Sequence, residues 1–470
     1  DSSTSRGLGD VYKRQIKMSA IHMYKEGKRM KKMTLFNLSW PIFIETALFM
    51  LLGFVDVYVL SRYSDLAASA AQAANQVVSI CTLVFTVISG ASAVLISQAL
   101  GAGDKEKSSR VAALSILFNL LLGIVMSGIL VIFCKPFLVF MGAKGEILSF
   151  ANEYLIIVGA FIFTQALLGA VSVIIRNHGY TKVTMYVTVA MNIINTFFDI
   201  VFVLGLLGFP QLGIKGVAIA TSFSRIVGII VLFVFLFKKI EKPSIFKMLR
   251  PFPKKDIISL LRIGLPSAFE SFNYNVSQLV VTSIVLNFLT QTELVTKTYV
   301  SNITMFFYIF SVSIGQAAQI LVGHKVGAKD FDGAYRQCLR AFRTALIITM
   351  SISVLGILLR YQLIGLFTAD KAVIAAGVVL IIINIFVELG RTSNLVVISS
   401  LRGAGDVYFP TGVAIFSMWI VSTLGSYLLA VVFGLGLNGL WIAFAADECL
   451  RGVLMLWRWK SGKWREKRIA

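Results

Sequence analysis

The chain has 470 residues, of which 57% are hydrophobic and only 14% charged, and its mean hydropathy is +0.82. This composition excludes a soluble globular protein, because apolar runs of about twenty residues, each long enough to cross a hydrocarbon core ~30 Å thick, recur along the sequence. The net charge of +21 would suit nucleic acid, but the Lys and Arg residues lie in short segments between the apolar runs. We therefore expect a polytopic membrane protein that contacts lipids and binds no nucleic acid.

The N-terminal segment is polar and basic. Its first fifteen or so residues contain neither Met nor an apolar run, and they look like a remnant of cloning or sequence assembly. We expect residues 1–33 to form a disordered cytoplasmic tail. Cys81, Cys134, Cys338 and Cys449 are scattered without pairing or metal-ligand spacing, so we expect buried, unpaired thiols.

Hydropathy, with charged and Gly/Pro-rich breaks, predicts an all-α membrane protein. Strongly basic segments follow spans two, four, six, eight and twelve, which places them all on one side of the membrane and both termini in the cytoplasm. We expect a multi-pass protein of the cytoplasmic (inner) membrane. The twelve predicted transmembrane helices lie near residues 35–60, 73–99, 111–133, 153–175, 183–207, 213–237, 257–288, 300–323, 341–359, 373–399, 408–433 and 436–457.

The two halves of the chain repeat each other. Pro41 and Glu45 recur as Pro266 and Glu270, and further pairs follow in the same order at a nearly constant spacing: Asp104 with Asp330, Arg110 with Arg336, Arg176 with Arg402, Gly179 with Gly405, and Gly216 with Gly439. Each half has six spans, an even number, so the two six-helix repeats should be related by a pseudo-two-fold axis along the membrane normal, with a cleft between them. The predicted parts are an N-terminal lobe at 34–237, a basic cytoplasmic inter-lobe loop at 238–256, a C-terminal lobe at 257–458 and a basic cytoplasmic tail at 459–470.

The first span carries two acids, Glu45 and Asp56, inside an otherwise apolar run. A carboxylate at membrane depth is costly, so such residues mark an ion or substrate path by default. At ~100° per residue, the spacing returns Asp56 to within ~20° of Glu45, so both acids lie on one helix face. The alternative is that neighbouring helices satisfy both acids without a functional role.

A second set of polar residues shares the depth of Asp56. Asn195 and Asp199 lie four residues apart on one face of span five, and Tyr154 and Thr221 fall in the outer halves of spans four and six. Two carboxylates in a dry pocket cannot both stay ionised cheaply, so the pair should bind a proton or a monovalent cation, with Na⁺ possible at Asp56 and Asp199. A purely structural polar network is the alternative.

The second lobe carries its own polar residues: Glu270 and Asn273 on span seven, and Glu388 on span ten. We predict that Glu45, Glu270, Asn273 and Glu388 line the substrate cleft. Arg391 follows Glu388 by three residues, a spacing that allows it to neutralise Glu388 in place. The Gly-rich turns that end at Asp104 and Asp406 indicate helix connectors rather than phosphate sites, because neither follows a strand or has the spacing of a Walker loop.

With these features the chain resembles the multidrug and toxic compound extrusion (MATE) transporters of the prokaryotic type, over nearly its whole length after Lys31. The residues and motifs that carry the resemblance are Pro41, Val55-Asp56-Val57, Leu66-Ala67-Ala68, Gly101-Ala-Gly-Asp104, Glu153-Tyr154, Asn195 with Asp199, and Leu401-Arg-Gly-Ala-Gly-Asp406. The resemblance implies that Asp56, Tyr154, Asn195, Asp199 and Thr221 form a cation-coupling pocket. One departure is Ile200, where the family often has Pro.

The family implies antiport of organic cations or other amphiphiles against H⁺ or Na⁺ by alternating access, without a cofactor. We expect a monomer whose partners are small amphiphilic substrates and membrane lipids. The alternative is a flippase of lipid-linked or polysaccharide precursors from the same superfamily, which would require extra spans or an Arg-rich cleft. An intramembrane enzyme fits poorly, because the acids have no Cys or His nucleophile beside them.

Overall fold

The computed structural model describes residues 33–467. The predicted N-terminal tail therefore lies outside the described residues except for Met33. The first half consists of α1 Leu35–Ser61, α2 Asp65–Gly101, α3 Lys105–Phe140, α4 Gly145–Ala160, α5 Ile162–Asn177, α6 Thr181–Leu204 and α7 Ile214–Lys239. A bend of 47° at Phe161 separates α4 from α5, which together cover the predicted fourth span.

The second half repeats this arrangement of long helices. It consists of α8 Lys254–Phe288, α9 Gln291–Gly327, α10 Phe331–Leu358, the short α11 Arg360–Gly365, α12 Lys371–Ala404, α13 Tyr408–Val432 and α14 Gly436–Lys460. Two stretches of α13, Met418–Leu424 and Leu428–Val432, are wound as π-helix.

Within residues 33–467, nine helices are long and apolar enough to cross a membrane, and the bent pair of α4 and α5 makes a tenth span. The other two long helices, α8 and α14, occupy the seventh and twelfth predicted spans. Both carry charged residues along their length, which explains why their apolar character is weaker. The architecture is thus all-α and compatible with the twelve predicted spans.

Several helices begin earlier than hydropathy predicts, because a polar side chain caps them outside the apolar run. Asp104 accepts a hydrogen bond from the Lys107 backbone N–H at 2.9 Å and starts α3 ahead of the predicted span. Its repeat mate Asp330 caps α10 in the same way through Gly333, at 2.8 Å. A side-chain acceptor at the N-cap satisfies one of the free N–H groups of the first turn. The predicted Gly-rich turn that ends at Asp104 therefore connects α2 and α3, and the one that ends at Asp406 lies between α12 and α13.

The two halves meet at one end of the molecule through glycines of α2 and α9. A Cβ atom on Gly101 would collide with the backbone carbonyl oxygen of His324, and one on Gly327 would collide with that of Gln98. Gly101 and Gly327 are repeat mates, and so are Gln98 and His324, since both pairs have the sequence spacing that relates Asp104 to Asp330. The crossing is therefore pseudo-symmetric, and only a glycine permits so close an approach of the two backbones.

Two hydrogen bonds across the same crossing obey this pseudo-symmetry. Gln98 Nε2 donates to the carbonyl oxygen of Gly403 at 2.9 Å, and His324 Nε2 lies 2.9 Å from the carbonyl oxygen of Asn177. Gly403 and Asn177 are again repeat mates at the same spacing. We call the two glycines with Gln98 and His324 the inter-half crossing. It closes the molecule at the end where α2, α5, α9 and α12 terminate.

The basic segments lie at this closed end. Arg110 at the start of α3 binds Asp256 at the start of α8 with a 2.9 Å contact, and Arg458 near the end of α14 binds Asp406 at 2.7 Å. The segment 238–256, predicted as a loop, contains a 3-10 helix at Pro243–Leu249. In the C-terminal segment, the Trp464 ring stacks on Trp459 at a centroid distance of 4.2 Å.

Candidate coupling and substrate sites

Asp56 and Asp199 meet inside the first half. Asp56 comes from α1 and Asp199 from α6, and the two residues are 5% and 0% exposed. Their carboxyl groups are close enough to interact electrostatically. Two acids this close and this buried can both be ionised only at a high cost, so the pair favours a bound proton or another monovalent cation. The arrangement is therefore an acid pair that can share a cation.

Asn195, one turn before Asp199, joins the two acids. The Asn195 amide fits its surroundings when its nitrogen donates to Asp199 Oδ2 at 3.1 Å and to Asp56 Oδ1 at 3.2 Å. In this orientation its oxygen accepts from the backbone N–H of Thr221 on α7 at 3.2 Å. α6 continues without a break through Ile200, so the residue that replaces the usual Pro leaves the helix regular. The acids, Asn195 and Thr221 form one buried cluster.

Tyr154 completes the predicted set from α4. It is 1% exposed, and its hydroxyl donates to Asn75 Oδ1 on α2 at 3.1 Å. Tyr154 also interacts electrostatically with both Asp56 and Asp199. The structure thus brings together all five residues that we predict for the coupling pocket, from α1, α4, α6 and α7. Asn75 was not predicted, because an amide in an Ala-rich helix gives no distinct signal.

Arg225 is a second pocket residue that our sequence analysis missed. It lies on α7 one turn after Thr221, is partly buried, and interacts electrostatically with Asp56 and Tyr154. An arginine in the middle of an apolar span is rare, and it marks a functional position for the same reason that an intramembrane acid does. The signal was therefore present in the sequence.

Glu45, predicted to line the substrate cleft, is instead enclosed by polar partners. It is 6% exposed, and its Oε2 accepts a hydrogen bond from Thr184 at 2.9 Å. Arg176 NH1 lies 3.9 Å from the same oxygen and donates to Gln316 on α9 at 3.1 Å. Glu45 thus belongs to a network that reaches from the first half to the second.

Glu270 makes the equivalent contacts in the second half. Its Oε2 binds Arg402 NH2 at 2.6 Å and accepts a hydrogen bond from Thr411 at 3.1 Å. Arg402 is the repeat mate of Arg176, and Thr411 takes the part that Thr184 plays in the first half. Each half therefore holds a Glu–Arg–Thr group, and the repeat extends from single residues to their interactions.

A cavity of about 580 Å³ lies inside the second half, rather than in the predicted cleft between the halves. Among the described residues, every lining residue except Leu83 belongs to the second half. Of the four predicted cleft residues, Glu270 lines this cavity, whereas Glu45, Asn273 and Glu388 do not. The Asn273 side chain is turned toward α13, where its oxygen accepts from Trp419 Nε1 at 3.1 Å.

Glu388 lies behind Arg391, which separates it from the cavity. Glu388 is 0% exposed, and its Oε1 lies 2.8 Å from Arg391 NH1, as the spacing of three residues predicts. Arg391 also contacts Glu448 of α14 at 3.3 Å. Arg451 binds Asp447 at 2.5 Å and Glu448 at 3.5 Å.

The acids and arginines of α14 were not predicted. Asp447, Glu448 and Arg451 lie within the twelfth predicted span. A charged residue inside an apolar span is itself a signal for a polar cavity, so the sequence did indicate these positions. With Glu270, Glu388, Arg391 and Arg402 they give this region four acids and three arginines. The charges are mostly paired, which is the condition under which ionised groups are tolerated inside a membrane protein.

The match to a known protein family has the same two-fold repeat as the structure. A protein-family model described as MatE matches residues 41–201 and again residues 266–428. The chain belongs to the MATE family. The two matches begin at the repeat mates Pro41 and Pro266, so each half of this MATE protein carries the family pattern, and the predicted membership is confirmed.

Two relatives match this MATE protein along almost its full length. The uncharacterized transporter YisQ of Bacillus subtilis is 40% identical over 440 residues, which cover 94% of this chain and 96% of YisQ. A probable multidrug resistance protein NorM of Thermotoga maritima is 27% identical over 440 residues, covering 93% of each chain. The protein is thus a multi-pass membrane protein of a transporter family.

Solved structures support the fold. A crystal structure described as MATE in the bent conformation superposes with a TM-score of 0.85, at 20% sequence identity, over 93% of this chain and 98% of that one. A second, described as the outward-facing conformation of a multidrug resistance MATE family transporter, has a TM-score of 0.82 at 21% identity and covers 91% of this chain and 96% of that one. The predicted all-α membrane fold is confirmed.

Proposed function

We propose that this MATE protein is a secondary antiporter that exports organic cations or other amphiphiles in exchange for H⁺ or Na⁺. The observation that carries the proposal is the buried Asp56–Asp199 pair joined by Asn195. When both acids of a buried pair are ionised, the pair binds a monovalent cation strongly. When the pair is already neutralised, it binds a further cation weakly. A coupling site requires this difference in affinity. The relatives named as multidrug resistance proteins support the substrate class.

The inter-half crossing supplies the moving part of the proposed cycle. In alternating access, one half of a repeat transporter moves against the other about a central site. Opening at the crossing would break the hydrogen bonds of Gln98 and His324 and separate Gly101 from Gly327. We propose that this end faces the cytoplasm, because the basic segments lie there. The described conformation is then closed toward the cytoplasm.

The proposed substrate site is the cavity of the second half. The excess of one acid over the arginines in this region favours a ligand with a single positive charge, and Tyr274, Tyr308 and Trp441 provide ring faces that attract cations. The flippase alternative called for an Arg-rich cleft, and Arg391, Arg402 and Arg451 do line this cavity. Each of them forms an ion pair with an acid, however, and this leaves little free positive charge for an anionic precursor.

The proposal is tested with the full chain reconstituted in proteoliposomes. Transport of ethidium, a fluorescent organic cation with one positive charge, is measured under an imposed pH gradient without Na⁺ and under a Na⁺ gradient at equal pH. We expect one of the two gradients to drive ethidium against its concentration difference. Failure of both gradients, with protein-free liposomes as the baseline, would contradict an antiporter of organic cations.

Glu270→Gln should lower transport of cationic substrates more than transport of neutral amphiphiles, because a desolvated carboxylate favours a cation by its charge. The substitution also leaves Arg402 without its acid, which destabilises the protein independently of substrate. The double variant Glu270→Gln/Arg402→Gln removes both charges and serves as the control. If the loss remains selective for cations in the double variant, Glu270 acts on substrate. An equal loss for both substrate classes would assign Glu270 to structure.

A further inference from the structure

We propose that Arg225 takes the place of one of the two monovalent cations that the Asp56–Asp199 pair could hold, so that the pair exchanges a single cation in each transport cycle. This inference rests on the proposed function and adds a stoichiometry to it. Arg225 is a positioning residue in this account, because it fixes how many cations the acids bind.

The helix register points Arg225 into the coupling pocket. The side-chain oxygen of Thr221 lies 3.3 Å from the Asn195 amide that bridges both acids, so this face of α7 looks toward the pair. Arg225 follows one turn later on the same face and interacts electrostatically with Asp56 and with Tyr154. The guanidinium therefore lies within electrostatic range of the pair.

Within residues 33–467, the other groups that surround the pair are neutral or already paired. Asn195 and Asn75 are amides, and Tyr154 donates its hydroxyl proton to Asn75. Glu153, next to Tyr154, forms its own ion pair with Lys215 at 3.5 Å, on the partly exposed side of α4. The charge of the pocket is thus decided by Asp56, Asp199 and Arg225.

Charge balance then fixes the number of exchangeable cations. With both acids ionised, Arg225 cancels one of the two negative charges, and one proton or one Na⁺ neutralises the other. Without Arg225 the same pair would need two. An uncompensated charge in a low-dielectric site is strongly disfavoured, so the cation-loaded state should hold one cation.

The second half has the matching balance. Glu270, Glu388, Asp447 and Glu448 face Arg391, Arg402 and Arg451, again one acid in excess. Glu448 follows Arg225 along the chain at the same spacing that relates Gly216 to Gly439, so the repeat position that is positive in the first half is negative in the second. One organic cation in the cavity would neutralise the excess negative charge of the second half. One coupling cation in the pocket would do the same for the first half. Exchange of one for one would then move no net charge.

The inference is tested by measuring stoichiometry and voltage dependence in proteoliposomes that contain the full chain. Ethidium flux is recorded together with proton flux in one arm and Na⁺ flux in the other, while K⁺ and valinomycin set the membrane potential. The wild-type protein should exchange one cation for each ethidium, at a rate that does not change with the potential. The arm that shows the coupled flux identifies the cation.

Arg225→Met removes the fixed positive charge and should raise the ratio to two cations for each ethidium, with transport that responds to the potential. Arg225→Lys, the matched control, keeps the charge and should keep the ratio at one. A wild-type ratio of two, or an active Arg225→Met variant with an unchanged ratio, would overturn the inference. If Arg225→Met fails to fold, the number of cations that the wild-type protein exchanges for each ethidium, and the response of its transport rate to the membrane potential, still test the inference. Failure of both gradients to drive ethidium transport by the wild-type protein would instead contradict the proposed function itself.

Discussion

Asp56→Asn and Asp199→Asn should each abolish gradient-driven efflux while the protein still folds and inserts into the membrane. Asn is nearly isosteric with Asp but carries no charge, so it mimics a permanently protonated acid and cannot release a cation. Coupling between two linked binding sites typically changes the affinity of each by 5- to 150-fold. We therefore expect the rate of gradient-driven ethidium transport to fall by about tenfold or more. Driven ethidium flux in proteoliposomes, normalised to the reconstituted protein, measures the effect.

Asp65→Asn is the matched control for these variants. Asp65 is an exposed acid in the first turn of α2, so the change removes a carboxylate of the same half without touching the coupling pocket. Its driven flux should equal that of the wild-type protein. Full gradient-driven transport by either pocket variant would show that this aspartate is not essential for coupling. Glu270 and Glu388 would then become the better candidates.

Gly327→Ala and Gly101→Ala should each destabilise the closed crossing and slow transport. The added methyl group meets the carbonyl oxygen of Gln98 in one case and that of His324 in the other, and helix backbone cannot yield as a flexible side chain can. Overpacking of this kind costs roughly 1–3 kcal/mol, which would lower the closed-to-open equilibrium constant by roughly 5- to 150-fold. The effect should be similar in the two variants, since the crossing is pseudo-symmetric.

Spin labels at Ala102 and Ala328, two exposed residues just beyond the crossing, report its opening as a distance distribution. We expect the distribution to shift to longer distances in both glycine variants. Gly90→Ala is the control, because Gly90 lies on α2 as Gly101 does, but a Cβ there meets nothing within 4 Å. Unchanged distances together with unchanged transport in Gly327→Ala would show that the crossing does not limit the conformational cycle.

Much of the architecture follows from the sequence, because it depends on local properties of the chain. Apolar runs and basic breaks predict the spans, and the matched prolines, acids and arginines predict the two repeats. The coupling pocket is predictable for a related reason. Asp56 and the pair of Asn195 with Asp199 are rare polar residues at one depth, and few other groups of that half could satisfy them.

The partners of Glu45 and Glu270 could not be predicted from helix periodicity, because periodicity gives a face and not the neighbour on that face. Arg176 and Arg402 were recognised as repeat mates, but their distance from the acids depends on how α1 packs on α5 and α8 on α12. The orientation of the predicted cleft residues could not be predicted for the same reason. Asn273 and Glu388 share spans with cavity residues, yet one side chain turns to Trp419 and the other is covered by Arg391.

The ends of several helices could not be predicted from hydropathy. α2, α3 and α9 extend into polar sequence because Ser64, Asp104 and Thr290 cap them beyond the apolar run. At Thr290 the cap is a full capping box, in which Glu293 also bonds back to the Thr290 backbone. A search for such caps at the edges of each apolar run would have corrected these boundaries.

The linkage between substrate and coupling cation tests the central claim most directly. In the purified wild-type protein, ethidium affinity is measured by fluorescence at several pH values without Na⁺, and then at several Na⁺ concentrations at fixed pH. If Asp56 and Asp199 hold the exchanged cation, raising the concentration of that cation must weaken ethidium binding, and ethidium must weaken cation binding by the same factor. The same titrations on Asp199→Asn should show no such dependence. Ethidium affinity that is independent of both pH and Na⁺ in the wild-type protein would contradict coupled exchange.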